Sequence, residues 1–108
     1  MSGSGTSGYG DGFWGQGESC EKLMVHTQLS SPVAAIISKL VVGSVMAVVS
    51  RPGSGITLVE AQFNGKLAGG IASAQIARLI QCLAEGYQYK ATVTAINGGQ
   101  VKIRVEVA

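Results

Sequence analysis

The chain reads as an α+β domain. The expected architecture is a small, strongly bent, mostly antiparallel sheet or partly closed barrel of about six short strands with two short helices. Three observations carry this. Residues 87–107 alternate apolar and polar side chains on both sides of Asn97-Gly98-Gly99, which is a hairpin. Residues 73–85 repeat apolar side chains at helical spacing. Upstream, short Val- and Ile-rich runs are separated by turn clusters too closely spaced for parallel crossover units, which favours antiparallel pairing.

Taken in order, residues 1–19 hold seven glycines with Ser and Thr between them. Such a stretch loses much entropy on ordering and has little to bury, so a flexible tail is expected. It also holds Tyr9, Phe13 and Trp14, half of the aromatics, and a tail that docks these rings on a partner or on bases is the other reading. Residues 20–108 form the single compact domain.

Residues 21–29 are the first strand, with Leu23, Val25 and Thr27 on one face. Ser31-Pro32 starts a helix over 32–40, whose stripe is Val33, Ile36, Ile37 and Leu40. Residues 44–50 form a second strand, and Arg51-Pro52-Gly53-Ser54-Gly55 is a turn. Residues 56–62 and 67–71 are the third and fourth strands around a tight Asn64-Gly65 turn, and Gly69-Gly70 marks a bulge or sharp bend. The second helix buries Ile76, Leu79, Ile80 and Leu83; Ser73 caps its start and Gly86 ends it.

Register selects the final loop. A two-residue Gly98-Gly99 loop sets Val93 opposite Arg104 and mixes the faces. A three-residue loop, with Gly99 left-handed, sets Ala95 opposite Val101, Val93 opposite Ile103, Ala91 opposite Val105 and Lys90 opposite Glu106. The three-residue loop is therefore expected.

Leu40-Val41-Val42-Gly43-Ser44 opening a strand, Lys66-Leu67-Ala68-Gly69-Gly70-Ile71 running towards a helix, and Gly86-Tyr87-Gln88-Tyr89-Lys90-Ala91-Thr92-Val93 together resemble the layout of HIRAN domains. These are small barrels that bind single-stranded DNA ends in helicase-like proteins. The resemblance covers roughly residues 40–107 and implies a small barrel and a single-stranded nucleic-acid ligand. Where HIRAN domains carry an Asn…Asp-x-Asn-Ala-Ile-type pocket stretch, residues 51–58 carry Gly and Ser, so no binding residue is carried over.

Little points to catalysis. The single histidine, His26, lies on an alternating strand with no acid beside it in sequence and reads as a surface or rim residue. Cys82 falls beside an apolar helix stripe and reads as a small buried hydrophobe. No metal-ligand spacing or phosphate-binding loop is present, so no catalytic residue, metal or cofactor is expected. Two cysteines, no CxxC and no signal peptide lead to the expectation of a reduced, cytoplasmic protein; whether Cys20 and Cys82 pair is a question of geometry. The apolar run 33–49 is seventeen residues and contains Lys39, short of the roughly 20 residues a spanning helix needs, so no membrane span is expected.

Charge supplies the functional expectation. After residue 19 there are eight Lys and Arg against four Glu, a net +4. Lys90, Lys102 and Arg104 share the outward hairpin face with Thr92 and Thr94, and Tyr87 and Tyr89 lie on the inward face. In the plain reading the cations keep the sheet soluble and the rings fill the core. In the functional reading the cations meet phosphates and the tyrosines line a barrel mouth where bases stack. The pairing with Glu106 partly neutralises Lys90, leaving Lys102 and Arg104 dominant. The expected function is thus a non-catalytic module binding single-stranded DNA or RNA. The alternative is a protein-interaction or self-assembly module, suggested by low charge and high apolar content.

Overall fold

A computed structural model describes residues 19–108. The elements are β1 (Val25–Ser30), α1 (Ala34–Ile37), β2 (Val45–Pro52), β3 (Thr57–Phe63), β4 (Lys66–Ile71), α2 (Ile76–Ala84), β5 (Tyr89–Asn97) and β6 (Gln100–Val107). The expected tail, with Tyr9, Phe13 and Trp14, lies outside the described residues.

The six strands close into one antiparallel barrel in the order β1-β4-β3-β2-β5-β6. This fits the expected barrel: β1 pairs with β6 on one side and β4 on the other, closing the ring. The helices are four and nine residues long, so the class is mostly β rather than α+β. Period-two alternation sends one face of every strand inward: Val25, Met46, Val48, Val59, Ala61, Ala91, Val93, Val101, Ile103 and Val105 are buried. Helix α2 adds Leu79 and Cys82, both fully buried, to the same core.

The first helix is shorter than its apolar stripe. Ser31 takes a left-handed φ of 46° and caps nothing; the Val33 N–H instead donates to the Ala68 carbonyl at 2.8 Å, tying the helix start to β4. The stripe still packs: Ile36 and Leu40 are buried, and Val33 and Ile37 lie against the core. Ser73 accepts from the Gln75 N–H at 2.9 Å one turn ahead of α2, and Gly86, at φ 102°, ends it.

The β5–β6 hairpin keeps the expected faces up to Val93 by a different device. Asn97 pairs with Gln100, so the loop is the two-residue Gly98-Gly99, with Gly98 rather than Gly99 at positive φ. The extra residue is absorbed between Val93 and Ala95, where the register shifts around Thr94. Val93 opposite Ile103, Ala91 opposite Val105 and Lys90 opposite Glu106 all hold; Ala95 now faces Lys102 and Ile96 faces Val101. The Asn64-Gly65 turn has both residues at positive φ, as a two-residue hairpin turn of the primed kind requires.

Gly69 and Gly70 serve a close approach as well as a bend. The β3–β4 register shifts beside Gly69, between Ala61 and Gln62. A Cβ on Gly69 would meet the Leu29 Cβ at 3.1 Å, and one on Gly70 would meet the Ser30 Oγ at 2.7 Å. Side chains at these positions would force apart the β1–β4 seam.

Cys20 and Cys82 form a disulfide across 62 residues of separation, with Cα atoms 5.6 Å apart. It staples the chain ahead of β1 to α2. The Tyr89 hydroxyl donates to the Cys20 carbonyl at 2.5 Å, adding a buried hydrogen bond at the same junction. In the chain-entropy account a loop of this size contributes about 4 kcal/mol. Replacing both cysteines by serine should therefore lower unfolding stability by about 4 kcal/mol in a denaturant titration, with loss of the two buried sulfurs adding to it. Leu79→Ala, fully buried on the adjacent face, should cost roughly 2–5 kcal/mol. A double-serine variant as stable as the parent would show that the staple contributes nothing.

Candidate nucleic-acid interface

The outward faces of β1, β6 and β5 form one continuous surface, because barrel closure sets these strands side by side. Register places the outward side chains in rows. One row runs His26, Arg104, Thr92 and Val45 across four strands. A second pairs Gln28 with Lys102, which faces Ala95 across the bulge. A third runs Glu106, Lys90, Ala47 and Gln62.

Over the second row lies an open cleft of about 450 Å³, lined by His26, Thr27, Gln28, Thr94, Lys102 and Ile103. Lys102 stands on the middle strand, with Gln28 on one side and Thr94 on the other. Thr94 reaches this position because the bulge places it between Val93 and Ala95. The Gln100 side-chain amide donates to Gln28 Oε1 at 2.5 Å, fixing the β1–β6 side of the cleft. Thr27 is less available, since its hydroxyl donates to the Ala72 carbonyl at 2.8 Å.

The charges pair differently from the sequence expectation. Lys90 does lie opposite Glu106, but the carboxylate is held by Arg104, whose Nε donates to Glu106 Oε2 at 2.9 Å. Residues two apart on a strand share a face and are close enough for a long guanidinium side chain to reach. Arg104 is thus the partly neutralised cation. Lys90 and Lys102 have no ion-pair partner among the described residues. The hydrogen bond from Arg104 is the main reason that the Glu106 carboxyl titrates below its ordinary range.

The tyrosines do not join this face. Tyr89 is 3% exposed, its ring in the core and its hydroxyl spent on Cys20, so it offers no stacking surface. Burial raises its pKa above the ordinary phenol value. Tyr87 precedes β5 and is about a third exposed, its N–H bound to the Cys82 carbonyl at the end of α2. Tyr89 and Thr94 are five residues apart on β5, so the tyrosine end lies roughly 17 Å from the cleft. His26 and Gln28 are the residues that sequence reasoning missed. Their polar alternation was visible, but their neighbours on β6 come from ring closure.

Among the described residues no group of three or more His, Cys, Asp or Glu is placed to hold a metal ion. Among the same residues no helix is long and apolar enough to cross a membrane. Comparison of the chain with protein-family models, with curated proteins and with solved structures finds no match.

Two pH effects follow. Glu106 favours the charged form when folded, so its stabilising contribution is present above the unfolded carboxyl range and fades as pH falls through the lowered folded value. Tyr89 favours the neutral form, so its contribution is present below a pH of about 10 and fades as pH rises towards the raised folded value. Arg104→Gln should shift the Glu106 carboxyl titration upward in an NMR pH series. Tyr89→Phe should remove the part of the alkaline destabilisation due to this phenol. An unmoved Glu106 titration would show that Arg104 does not hold that carboxylate in solution.

Proposed function

We propose that the barrel is a non-catalytic module that binds a single-stranded nucleic acid along the outward face of β1, β6 and β5. One observation carries the reading: Lys90 and Lys102 stand on adjacent strands of a face that no other described element covers, with Arg104 and His26 between them in register and the Lys102 cleft lined by amide and hydroxyl groups. Cations with neighbouring hydroxyl and amide donors suit phosphate oxygens. The resemblance to HIRAN domains supports the same ligand class. Because Tyr89 is buried, contacts to the backbone supply the affinity, and base stacking supplies little.

The buried disulfide favours an oxidising compartment over the cytoplasmic location expected from the cysteine pattern. The protein-interaction reading has one observation of its own: Val41, Val42 and Val45 are more than half exposed where α1 leads into β2. Self-assembly by strand addition has little support, since closure pairs most of the sheet edges.

A salt titration tests the reading. The parent protein should bind a mixed-sequence single-stranded oligonucleotide with an affinity that falls as salt rises. Each phosphate-contacting lysine removed should lower the log–log slope by about 0.7 on single strands. Lys90→Gln/Lys102→Gln should weaken binding and flatten the slope by about twice that, with unfolding stability nearly unchanged. Arg104→Gln should do less, because its charge is already engaged by Glu106. An absence of salt-dependent binding to DNA or RNA, together with a molecular mass that rises with concentration, would transfer the assignment to self-association.

A further inference from the structure

A second surface lies on the other side of β1 from the basic cleft, where β3 and β4 separate. Their ladder runs from Phe63 opposite Lys66 to Glu60 opposite Gly70 and stops there. Beyond it β4 turns to pair with β1, while β3 continues with β2 alone: Val59, Leu58 and Thr57 pair with Ser50, Arg51 and Pro52. One edge of residues 57–59 therefore has no ladder partner among the described residues.

This edge borders a groove of about 320 Å³ between β3 and the β1–β4 seam, lined by Ser30, Thr57, Leu58, Glu60, Leu67 and Gly70 among others. Leu58 and Leu67 are exposed along it. Gly70 sits in the row between Glu60 and Ser30, and the Ser30 Oγ fills the place its Cβ would take. Glu60 is the buried charged residue of the barrel, only 8% exposed. The Arg51 Nε donates to Glu60 Oε2 at 3.1 Å and the Arg51 Nη2 binds the same oxygen. Oε1 has no hydrogen-bond partner among the described residues. The carboxylate borders the groove, and a second charged donor would find an acceptor in Oε1.

We infer that this groove is a docking site for an extended peptide segment of a partner protein that carries a lysine or arginine. The peptide backbone pairs with the free edge of residues 57–59, as in strand addition. An apolar side chain packs on Leu58 and Leu67, and the basic side chain donates to Glu60 Oε1. Charge complementarity selects this occupant, since a basic side chain can share the carboxylate with Arg51, an acidic one is repelled by it and an apolar one adds no bond to it. The groove shares no lining residue with the Lys102 cleft, so the two assignments stand or fall independently.

The test is an NMR titration of the full chain with acetylated, amidated Val-Thr-Lys-Thr-Val and, as comparison, Val-Thr-Glu-Thr-Val. The lysine peptide should shift the amides of residues 57–59 and Gly70 in a saturable way, and the glutamate peptide should not. Glu60→Gln should weaken the lysine peptide by at least about tenfold, the loss expected for a hydrogen bond to a charged group. Leu58→Lys, at an exposed position on the same face, places a competing ammonium beside Glu60 and should weaken it comparably with the fold intact. A single-stranded oligonucleotide should leave these shifts unchanged. The inference is overturned if millimolar lysine peptide leaves residues 57–59 unmoved, if the glutamate peptide binds equally well, or if Leu58→Lys binds like the parent. Should Glu60→Gln fail to fold, Leu58→Lys decides alone.

Discussion

The closing seam between β1 and β4 is the constraint on which the rest of the barrel depends. It consists of two register pairs, Leu29 with Ile71 and Ser30 with Gly70. The other five strand neighbours are joined by longer ladders, so this seam is where a ring could open into a sheet with two free edges. Its formation requires β4 to come within contact of β1 along Gly69-Gly70, at a distance that excludes any side chain at position 70. The Val33 N–H bond to Ala68 secures the chain just beyond β1 to the same strand. On its other side β1 lies against β6, and His26 and Gln28 stand beside Arg104 and Lys102.

Much of this was legible along the chain, and the failures share a cause. Period-two alternation in β5 and β6 identified Tyr89, Ala91, Val93, Val101, Ile103 and Val105 as inward, because the faces of a half-buried strand cannot be exchanged without exposing the core; past the bulge it failed, since Ile96 rather than Ala95 packs there. The same rule forbade a two-residue loop in a regular hairpin. The chain satisfies the rule with a bulge around Thr94 instead of a longer loop, and alternation alone does not distinguish the two. Helical spacing located the stripe of α1 but not its length, since Val33 is drawn into a bond with β4 and the helical turn starts after it. Ring closure was not legible, because strands at the two ends of the chain carry no mark of their register with one another.

The candidate sites follow the same division. Lys102 and Lys90 were legible as outward cations. That Glu106 would take Arg104 on its own strand, rather than Lys90 directly across, depends on side-chain reach. Tyr89 was legible as inward and proves wholly internal, since Cys20 comes to lie above its hydroxyl. Glu60 gave no signal at all: it occupies an outward position in an alternating strand, and its burial beside Arg51 of β2 is not written in that alternation.

The Cys20–Cys82 bond also changes what a cut in the chain would mean. The most exposed described loop is the tip between β2 and β3, where Gly53, Ser54 and Gly55 carry the turn. It is the natural place for a protease to nick the backbone. That tip lies inside the covalent ring formed by residues 20–82. A single nick there opens the ring without releasing a fragment: the piece bearing β1 and β2 stays bonded through sulfur to the piece bearing α2, β5 and β6. The protein can thus be cleaved once at its most accessible point and still migrate as one molecule until a reductant separates the halves.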